Sequence, residues 1–583
     1  MRKTYRTLVM RLCILTMTMG VFFYSCKSES PNNAEAAALL ASLDPSLAQA
    51  IGNQSGTTGT LRAADTESDI QAAFAQENDG SFTFDNTIKV NAFDGVSLEV
   101  NLFKPANIPS GTKLPAIVFV NSWALNKYEY IVPAAKLAKK GYIVLCYSTR
   151  GFGASGGLID TAGPKDRADL SSILDWLLAN TPTDIANIGI SGVSYGAGIS
   201  LTGVSTEPRI KTAVAMSGWG DLKRSLYGND TPRLVWGLIL VASSYITGRP
   251  DPIVAQNFAS LIQHTNIDFV TSWAADRSPQ TYVGQLNASS GKSVMISNNF
   301  EDFLFNPNGI LDYYTQITVP KKLLMNEGIH ASAEATGLLG ISNFVWDNAY
   351  DWFDYWLKGV NNGIMAKPQV TLQTRFNGPR VTYPSWPAPT VGNKTYYLKP
   401  RGLFTNGEIS TSQNTTVTNT TILSGADTVA TTGFPLLSDI LSAQVGIPTT
   451  TNLFFESRVN GIVYQSSALS SALKIRGKMF WNGRISSTLG KANINVYFYD
   501  VAKSGTATLI THGTYTIFDA AANEARDISI DLNAVAYDVP AGDSIAIAID
   551  TYDVLYSVPT TLIYGLDVKH LKSPQTTLVI QSE

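Results

Sequence analysis

The chain has 583 residues and a mass of 62.9 kDa, too many for one ordinary core when a domain takes roughly 100–200 residues. Hydrophobic residues make up 44% and charged residues 15%, which excludes disorder as the default state, and a net charge of −3 excludes a nucleic-acid binder relying on a broad basic field. Three cysteines exclude a disulfide-built scaffold, and four histidines exclude a His-rich metal protein.

Residues 1–25 predict a secretory signal. Arg2, Lys3, Arg6 and Arg11 precede the apolar run Leu12–Phe23, which is too short to span a bilayer comfortably. The following Phe23-Tyr24-Ser25-Cys26 resembles a bacterial lipobox. Cleavage there would leave lipid on Cys26 and anchor the protein in the cell envelope, at the outer membrane or in the periplasm; the alternative is a plain signal cut near Ser25, giving a secreted protein. Removing four basic residues from 43 leaves 39 against 46 acidic ones, a net charge of −7. Cys146 lies in the apolar run Tyr142–Tyr147 and reads as a small buried hydrophobe.

Residues 26–78 are rich in Ala, Ser, Asn, Gly and Thr and predict a tether, with a helix over Ala34–Ala50. Residues 79–370 predict an α/β catalytic domain. It opens on a β-hairpin turning at Asp94-Gly95. Apolar runs then alternate with helix-length segments at Tyr130–Lys140, Lys165–Leu178 and Gly196–Ser205. The runs are Ala116–Val120, Tyr142–Tyr147, Ile188–Ile190, Ile210–Met216, Ser293–Ser297 and Lys322–Met325. Residues 221–290 interrupt the alternation as a helical cap insertion, and Asn343–Lys358 predicts the last strong helix. Residues 371–393 carry four prolines and predict a linker. From 394 to 583 helical periodicity vanishes. Short runs at Ile475–Trp481, Ile494–Tyr499, Ile528–Leu532, Ser544–Ile549 and Thr560–Tyr564 predict an all-β sandwich or jelly roll.

The chemistry centres on Gly192-Val193-Ser194-Tyr195-Gly196, a G-x-S-x-G between an apolar strand and a small-residue helix. The glycines permit a sharp strand-to-helix turn that lifts the Ser194 hydroxyl above the sheet, as in the α/β-hydrolase fold, where an acid and then a histidine follow in the chain. A serine hydroxyl needs a base. His330 follows the strand at Lys322–Met325 and is expected at the same sheet edge; His264 falls in the insertion, and His512 and His570 in the β domain. The acid should follow Ser293–Ser297, where Glu301 and Asp302 compete; Asp302 is preferred, and Asp312 is a distant third. The backbone N–H of Tyr195 and one from Asn121-Ser122-Trp123, with Trp123 preferred, are expected to receive an oxyanion. Gly151-Phe-Gly153-Ala-Ser-Gly156 spells a dinucleotide fingerprint, but the next strand ends in the serine elbow rather than an acid. No metal or organic cofactor is implied.

Several segments together resemble the X-Pro dipeptidyl-peptidase-like (S15) hydrolases, including their cocaine-esterase and α-amino-acid ester hydrolase branch. They are Tyr147-Ser-Thr-Arg150-Gly-Phe-Gly-Ala-Ser155-Gly-Gly157, Asp169-Leu170, Ile173–Leu177, Gly192–Gly198, Asp302-Phe-Leu-Phe305 and Trp352–Gly359. The resemblance covers about Phe82 to Glu583 and implies a C-terminal jelly roll. It selects Asp302 through the family's D-x-L-F loop, whereas aligning Asn299-Phe300 with the W-Y of the cocaine-esterase branch selects Glu301. Some members use a tyrosine hydroxyl as oxyanion donor where this chain reads Asn121-Ser122-Trp123. No residue clearly captures a substrate's free amine.

The expected protein is a serine hydrolase that forms an acyl-enzyme on Ser194 with a small ester, amide or peptide substrate. Its expected partners include a membrane through the lipid anchor and no nucleic acid. The rivals are a non-catalytic surface binding protein and a lipase or polyesterase, the latter suggested by Trp236 and Tyr245 in the insertion.

Overall fold

The apolar runs of the first half become strands of one 11-stranded sheet. These are β1 (Phe82–Asp85), β2 (Lys89–Asn91), β3 (Ser97–Pro105), β4 (Leu114–Val120), β5 (Ile143–Tyr147), β6 (Thr183–Val193), β7 (Ile210–Met216), β8 (Ser293–Asn299), β9 (Lys321–Asn326), β10 (Val370–Gln373) and β11 (Arg380–Tyr383). This computed structural model describes residues 74–402, 405–435 and 437–583. The signal, Cys26 and most of the tether lie outside the described residues.

The strand order is β1-β3-β5-β4-β6-β7-β8-β9-β10-β11, with β2 paired to β3. Strands from β5 to β10 in this order run parallel, while β1, β2 and β11 are antiparallel additions and β3 is antiparallel to β5. The parallel strands are buried along most of their length because helices cover both faces, which explains their continuous rather than alternating apolar runs.

One face packs on α1 (Ile131–Lys139) and the other on α2 (Pro164–Asn180), whose Leu170, Ile173, Leu174 and Leu177 enter the core. Between β6 and β7, α3 (Tyr195–Thr206) is buried on nearly all sides. Its small residues make that possible: a Cβ on Gly198 would lie 2.2 Å from the Trp219 ring. The cap comprises α4 (Leu222–Tyr227), α5 (Leu234–Thr247), α6 (Ile253–Gln263), α7 (Ile267–Asp276) and α8 (Val283–Ala288). Then come α9 (Pro307–Gln316), α10 (Ala335–Leu338) and α11 (Phe344–Lys358). On α11, Val345, Trp346, Ala349, Trp352, Phe353 and Leu357 recur at helical spacing and enter the α1 face of the core. The Asn343 side chain caps this helix at Trp346 N–H, and Gly359 closes it in the left-handed region.

Two expectations change. Residues 371–393 are more than a linker, because β10 pairs with β9 and β11 folds back on β10, extending the first sheet to Tyr383. Thr560–Tyr564 is irregular backbone, and the strand begins at Gly565. The other predicted β runs fall in strands of a 12-stranded second sheet system, built on long antiparallel pairs such as Leu473–Ser487 with Arg526–Val539. Its side chains, among them Met479, Trp481, Phe498, Leu532 and Ile547, form a separate core. This all-β domain is fastened to the first. Asn308 on α9 donates to Leu532 O (3.0 Å) and accepts from Ala534 N–H (2.7 Å). Arg375 N–H reaches Ala536 O at 2.9 Å.

The G-x-G-x-x-G segment is a packed turn. Gly151 and Gly153 have φ of 80° and 55°, and a Cβ on Gly153 would stand 2.3 Å from Glu99 Oε1. The next helix, α2, starts only at Pro164, so no helix N-terminus directly follows the turn to receive a pyrophosphate. Arg150, at the head of the turn, is buried and holds Asp169 through two hydrogen bonds of 2.7 and 2.5 Å, and Asp94 at 3.0 Å. Removing one member of such a pair leaves the other charge buried. Arg150→Met should therefore lower the unfolding free energy of the α/β domain by about 3–5 kcal/mol. Urea unfolding followed by tryptophan fluorescence checks this; a loss under about 1 kcal/mol would show that the pair is dispensable.

Candidate active site

The parallel strands deliver their C-terminal loops to one edge of the sheet. The chain leaves β4 for β5 on one side and returns through β6 on the other, so the β4 and β6 loops flank the crevice where the strand order reverses. Ser194 occupies the single-residue junction between β6 and α3 with φ 57° and ψ −115°. It is one of the few non-glycine residues at positive φ, a conformation that costs on the order of 1–3 kcal/mol. Glycine makes the junction possible. A Cβ on Gly196 would lie 2.1 Å from Val120 O, and one on Gly192 would lie 2.6 Å from the Gly196 carbonyl carbon. Ser194 N–H is held by Met216 O at 2.8 Å.

His330 and Asp302 converge on this hydroxyl. His330 Nε2 lies 2.7 Å from Ser194 Oγ, and His330 Nδ1 lies 2.7 Å from Asp302 Oδ2. An ionised carboxylate can only accept, so Nδ1 carries the hydrogen and Nε2 is left to accept from the serine. The second carboxylate oxygen is also occupied: Asp302 Oδ1 accepts from the N–H of Leu304 (3.1 Å) and Phe305 (2.8 Å). Asp302 is fully buried, while Ser194 and His330 retain 7% and 8% exposure, so solvent and ligand reach only the serine end.

Glu301 faces the other way. Its Oε2 accepts the Gly328 N–H at 2.8 Å, and its Oε1 lies 2.5 Å from Arg375 Nε. Arg375 also donates to Ser442 Oγ (2.8 Å) and to the Ile510 carbonyl, so this acid ties the histidine loop to the β domain. Asp312, on α9, is paired with Arg224 and Lys478. The remaining histidines lie elsewhere: His264 on Tyr227 and Asp519, His570 on Tyr464, and His512 on Tyr556. Burial depresses His512 to about 3, and its ring packs edge-on against Phe303 of the acid loop.

The N–H of Tyr195 belongs to the first turn of α3 and has no helical acceptor. The N–H of Trp123, after β4, makes no hydrogen bond among the described residues. The Tyr195 side chain turns away, donating to Asp166 at 2.6 Å. The Trp123 indole donates to Leu240 O at 3.0 Å and so fastens its loop to the cap.

Sequence reasoning missed Glu129, which carries no motif. Ser122 N–H donates to Glu129 Oε2 (2.6 Å), while Ser122 Oγ lies 2.6 Å from Glu129 Oε1 and 2.9 Å from Val193 O. One hydroxyl hydrogen cannot serve both acceptors. A protonated Glu129 resolves this by donating to Ser122 Oγ, and burial indeed pushes its carboxyl up to about 7. Glu334 was also missed. It is buried four residues after His330, where it accepts from Ser217 and Ser297, and Ser217 Oγ in turn accepts the Ala331 N–H.

Beside Ser194 opens a cavity of about 990 Å³, including its mouth. Trp219, Phe305, Leu226, Leu240, Val241 and Phe258 supply much of its wall. Trp236 is buried in the core, and its ring stands edge-on to His330 at 6.2 Å.

This arrangement is that of an α/β hydrolase. Residues 94–332 match the family X-Pro dipeptidyl-peptidase (S15 family), and residues 362–583 match the X-Pro dipeptidyl-peptidase C-terminal non-catalytic domain. A Bacillus anthracis protein named "Putative Xaa-Pro dipeptidyl-peptidase" is 23% identical over 291 residues, covering 45% of this chain and 45% of the relative. The cocaine esterase of Rhodococcus sp. is 28% identical over 199 residues, covering 31% of this chain and 33% of the esterase. The match thus spans under half the length of these relatives. A solved CocE/NonD family hydrolase from Staphylococcus aureus shares the fold with a TM-score of 0.67 at 13% identity, covering 86% of this chain and 94% of that one. With both domains matched in order, the chain belongs to the X-Pro dipeptidyl-peptidase (S15) family of hydrolases.

The protonated Glu129 generates a prediction. Its ordinary value is 4.5 and its folded value about 7, so between these the folded state binds more protons than the unfolded chain, and this contribution to stability falls as pH rises through that window. Glu129→Gln keeps one acceptor and one donor toward Ser122 but cannot ionise. The variant should gain stability relative to wild type as pH rises from about 4.5 to 7. Paired denaturation curves at several pH values check this; parallel pH dependences would show that Glu129 is ionised in the folded protein.

Proposed function

We propose that the protein is a serine hydrolase that cleaves an ester or amide bond through an acyl-enzyme on Ser194. The observation that carries this reading is the Ser194–His330–Asp302 chain, with 2.7 Å at both links. Ser194 Oγ attacks the substrate carbonyl carbon while His330 Nε2 takes its proton. The carbonyl π electrons move to oxygen, facing the N–H groups of Tyr195 and Trp123. Collapse expels the leaving group, which receives the proton from His330. Water then attacks the acyl-enzyme by the reverse proton path, releasing acid and restoring the serine. Asp302 keeps the proton on Nδ1 and stabilises the imidazolium formed at each attack.

The β domain places no side chain in the hydrogen-bonded chain. It supports the site indirectly, through Arg375 on Glu301 and His512 on Phe303. A purely binding role would leave the strained serine and its two aligned partners without a purpose.

Three substitutions test the assignment. Ser194→Ala should lower kcat on an activated ester by about 10⁴–10⁶-fold and abolish fluorophosphonate labelling, with the fold intact. Asp302→Asn should cost on the order of 10⁴-fold near neutral pH by favouring the wrong tautomer. Glu301→Gln should cost far less, because it acts on the loop. Full activity in Ser194→Ala would refute the nucleophile, and a dead Glu301→Gln beside an active Asp302→Asn would reverse the acids.

A further inference from the structure

The cavity beside Ser194 has a definite chemical character. The cap helices α4 to α7 close over it, and Trp219 and Phe305 form the wall nearest the sheet. No Asp or Glu side chain is among its described lining residues, and the charged ones are Lys223 and Arg233, both cationic. Of the carboxylates outside the lining, Asp160 pairs with Arg277 and Asp276 with Arg167, while Asp166 accepts from Tyr195 through Oδ2 and keeps a buried, unpartnered Oδ1. Two lining side chains carry a buried polar atom without a hydrogen-bond partner, Thr161 at Oγ1 and Asn257 at Nδ2. Asn257, on α6 and 6% exposed, lines the cavity, and its Nδ2 has no hydrogen-bond partner.

We propose that this cavity binds an uncharged, largely apolar acyl group bearing a hydrogen-bond acceptor, and that it rejects acyl groups carrying an ammonium. The proposal rests on the acyl-enzyme reading of Ser194. An ammonium entering the cavity would give up its water without a carboxylate to receive it, and would also approach Lys223 and Arg233. Burying a charge unpaired is far costlier than burying a methyl group. An acceptor such as an amide or ether oxygen meets the reverse situation, because Asn257 Nδ2 is a desolvated donor that gains a partner when the group binds.

The test uses three methyl esters: heptanoate and 6-aminohexanoate, which match in chain length, and 6-acetamidohexanoate, in which an acetyl group removes the charge. Acid release is followed at neutral pH, where the 6-amino group is fully protonated. The same preparation is titrated with a fluorophosphonate and the adduct located by mass spectrometry. The expected kcat/KM for heptanoate exceeds that for 6-aminohexanoate by about 100-fold or more, and acetylating the amine restores most of the loss. Asn257→Asp, which supplies the missing carboxylate, should narrow the heptanoate to 6-aminohexanoate ratio by about tenfold or more. Turnover of 6-aminohexanoate equal to heptanoate by an enzyme that labels at Ser194 would overturn the cavity inference and leave the acyl-enzyme reading standing. Failure to label Ser194 would overturn that reading and the inference with it. Should Asn257→Asp fail to fold, the wild-type ratio alone decides.

Discussion

The left-handed backbone at Ser194 is the constraint around which the catalytic domain is arranged. A serine has no intrinsic reason to sit at φ 57° and ψ −115°. It stays there because β6 and α3 are both locked in place, and because Gly192 and Gly196 let them approach Val120 more closely than any side chain would allow. The strain directs Oγ out of the sheet and leaves the Tyr195 N–H at the open end of a helix. Parallel strands end on one edge, so the loops after β4, β8 and β9 meet the serine without any long excursion of the chain. The core therefore positions the site as well as stabilising the fold.

Around this point, carboxylates of one kind do different work according to their surroundings. Asp302 has backbone donors on one oxygen and the imidazole on the other, an environment suited to a carboxylate. Glu129 lies behind the Trp123 loop with Ser122 and Tyr130 beside it, and burial of its carboxyl holds it protonated up to about pH 7. Glu301 is buried against Arg375 and works as a brace between the histidine loop and the β domain. The backbone reinforces this brace, because Glu301 N–H donates to Gly328 O at 3.0 Å and continues the β8–β9 pairing beyond the strands. The chain turns at Phe300-Glu301, and the two side chains face different partners, so Glu301 can brace while Asp302 orients the histidine.

Much of this was legible in the sequence. Continuous apolar runs marked the buried parallel strands, and the helical spacing of Val345 to Leu357 marked α11. Ser194, His330 and Asp302 followed from a motif in the right strand–helix context, the chain order of the fold and the D-x-L-F resemblance. The unread parts depend on contacts distant in sequence. Val370–Gln373 is too short to announce itself and becomes a strand only by pairing with β9, and the prolines nearby masked it. Glu129 is one acid in an unremarkable loop until Ser122 closes on it. Trp236 stood in the sequence only as an aromatic of the insertion; its place beside His330 follows from how the cap docks. The character of the cavity was likewise hidden, since its wall is drawn from several helices and from loops far apart in the chain.

In the proposed reaction Ser194 attacks a carbonyl whose oxygen is received by the backbone N–H groups of Tyr195 and Trp123. A crystal structure of the protein inactivated by a small fluorophosphonate tests this most directly. A covalent bond from Ser194 Oγ to phosphorus is expected. The phosphonyl oxygen should lie about 2.7–3.1 Å from both nitrogens, with His330 still on Asp302. An adduct whose oxygen points to solvent, or reaches a side chain in place of the Trp123 N–H, would contradict it.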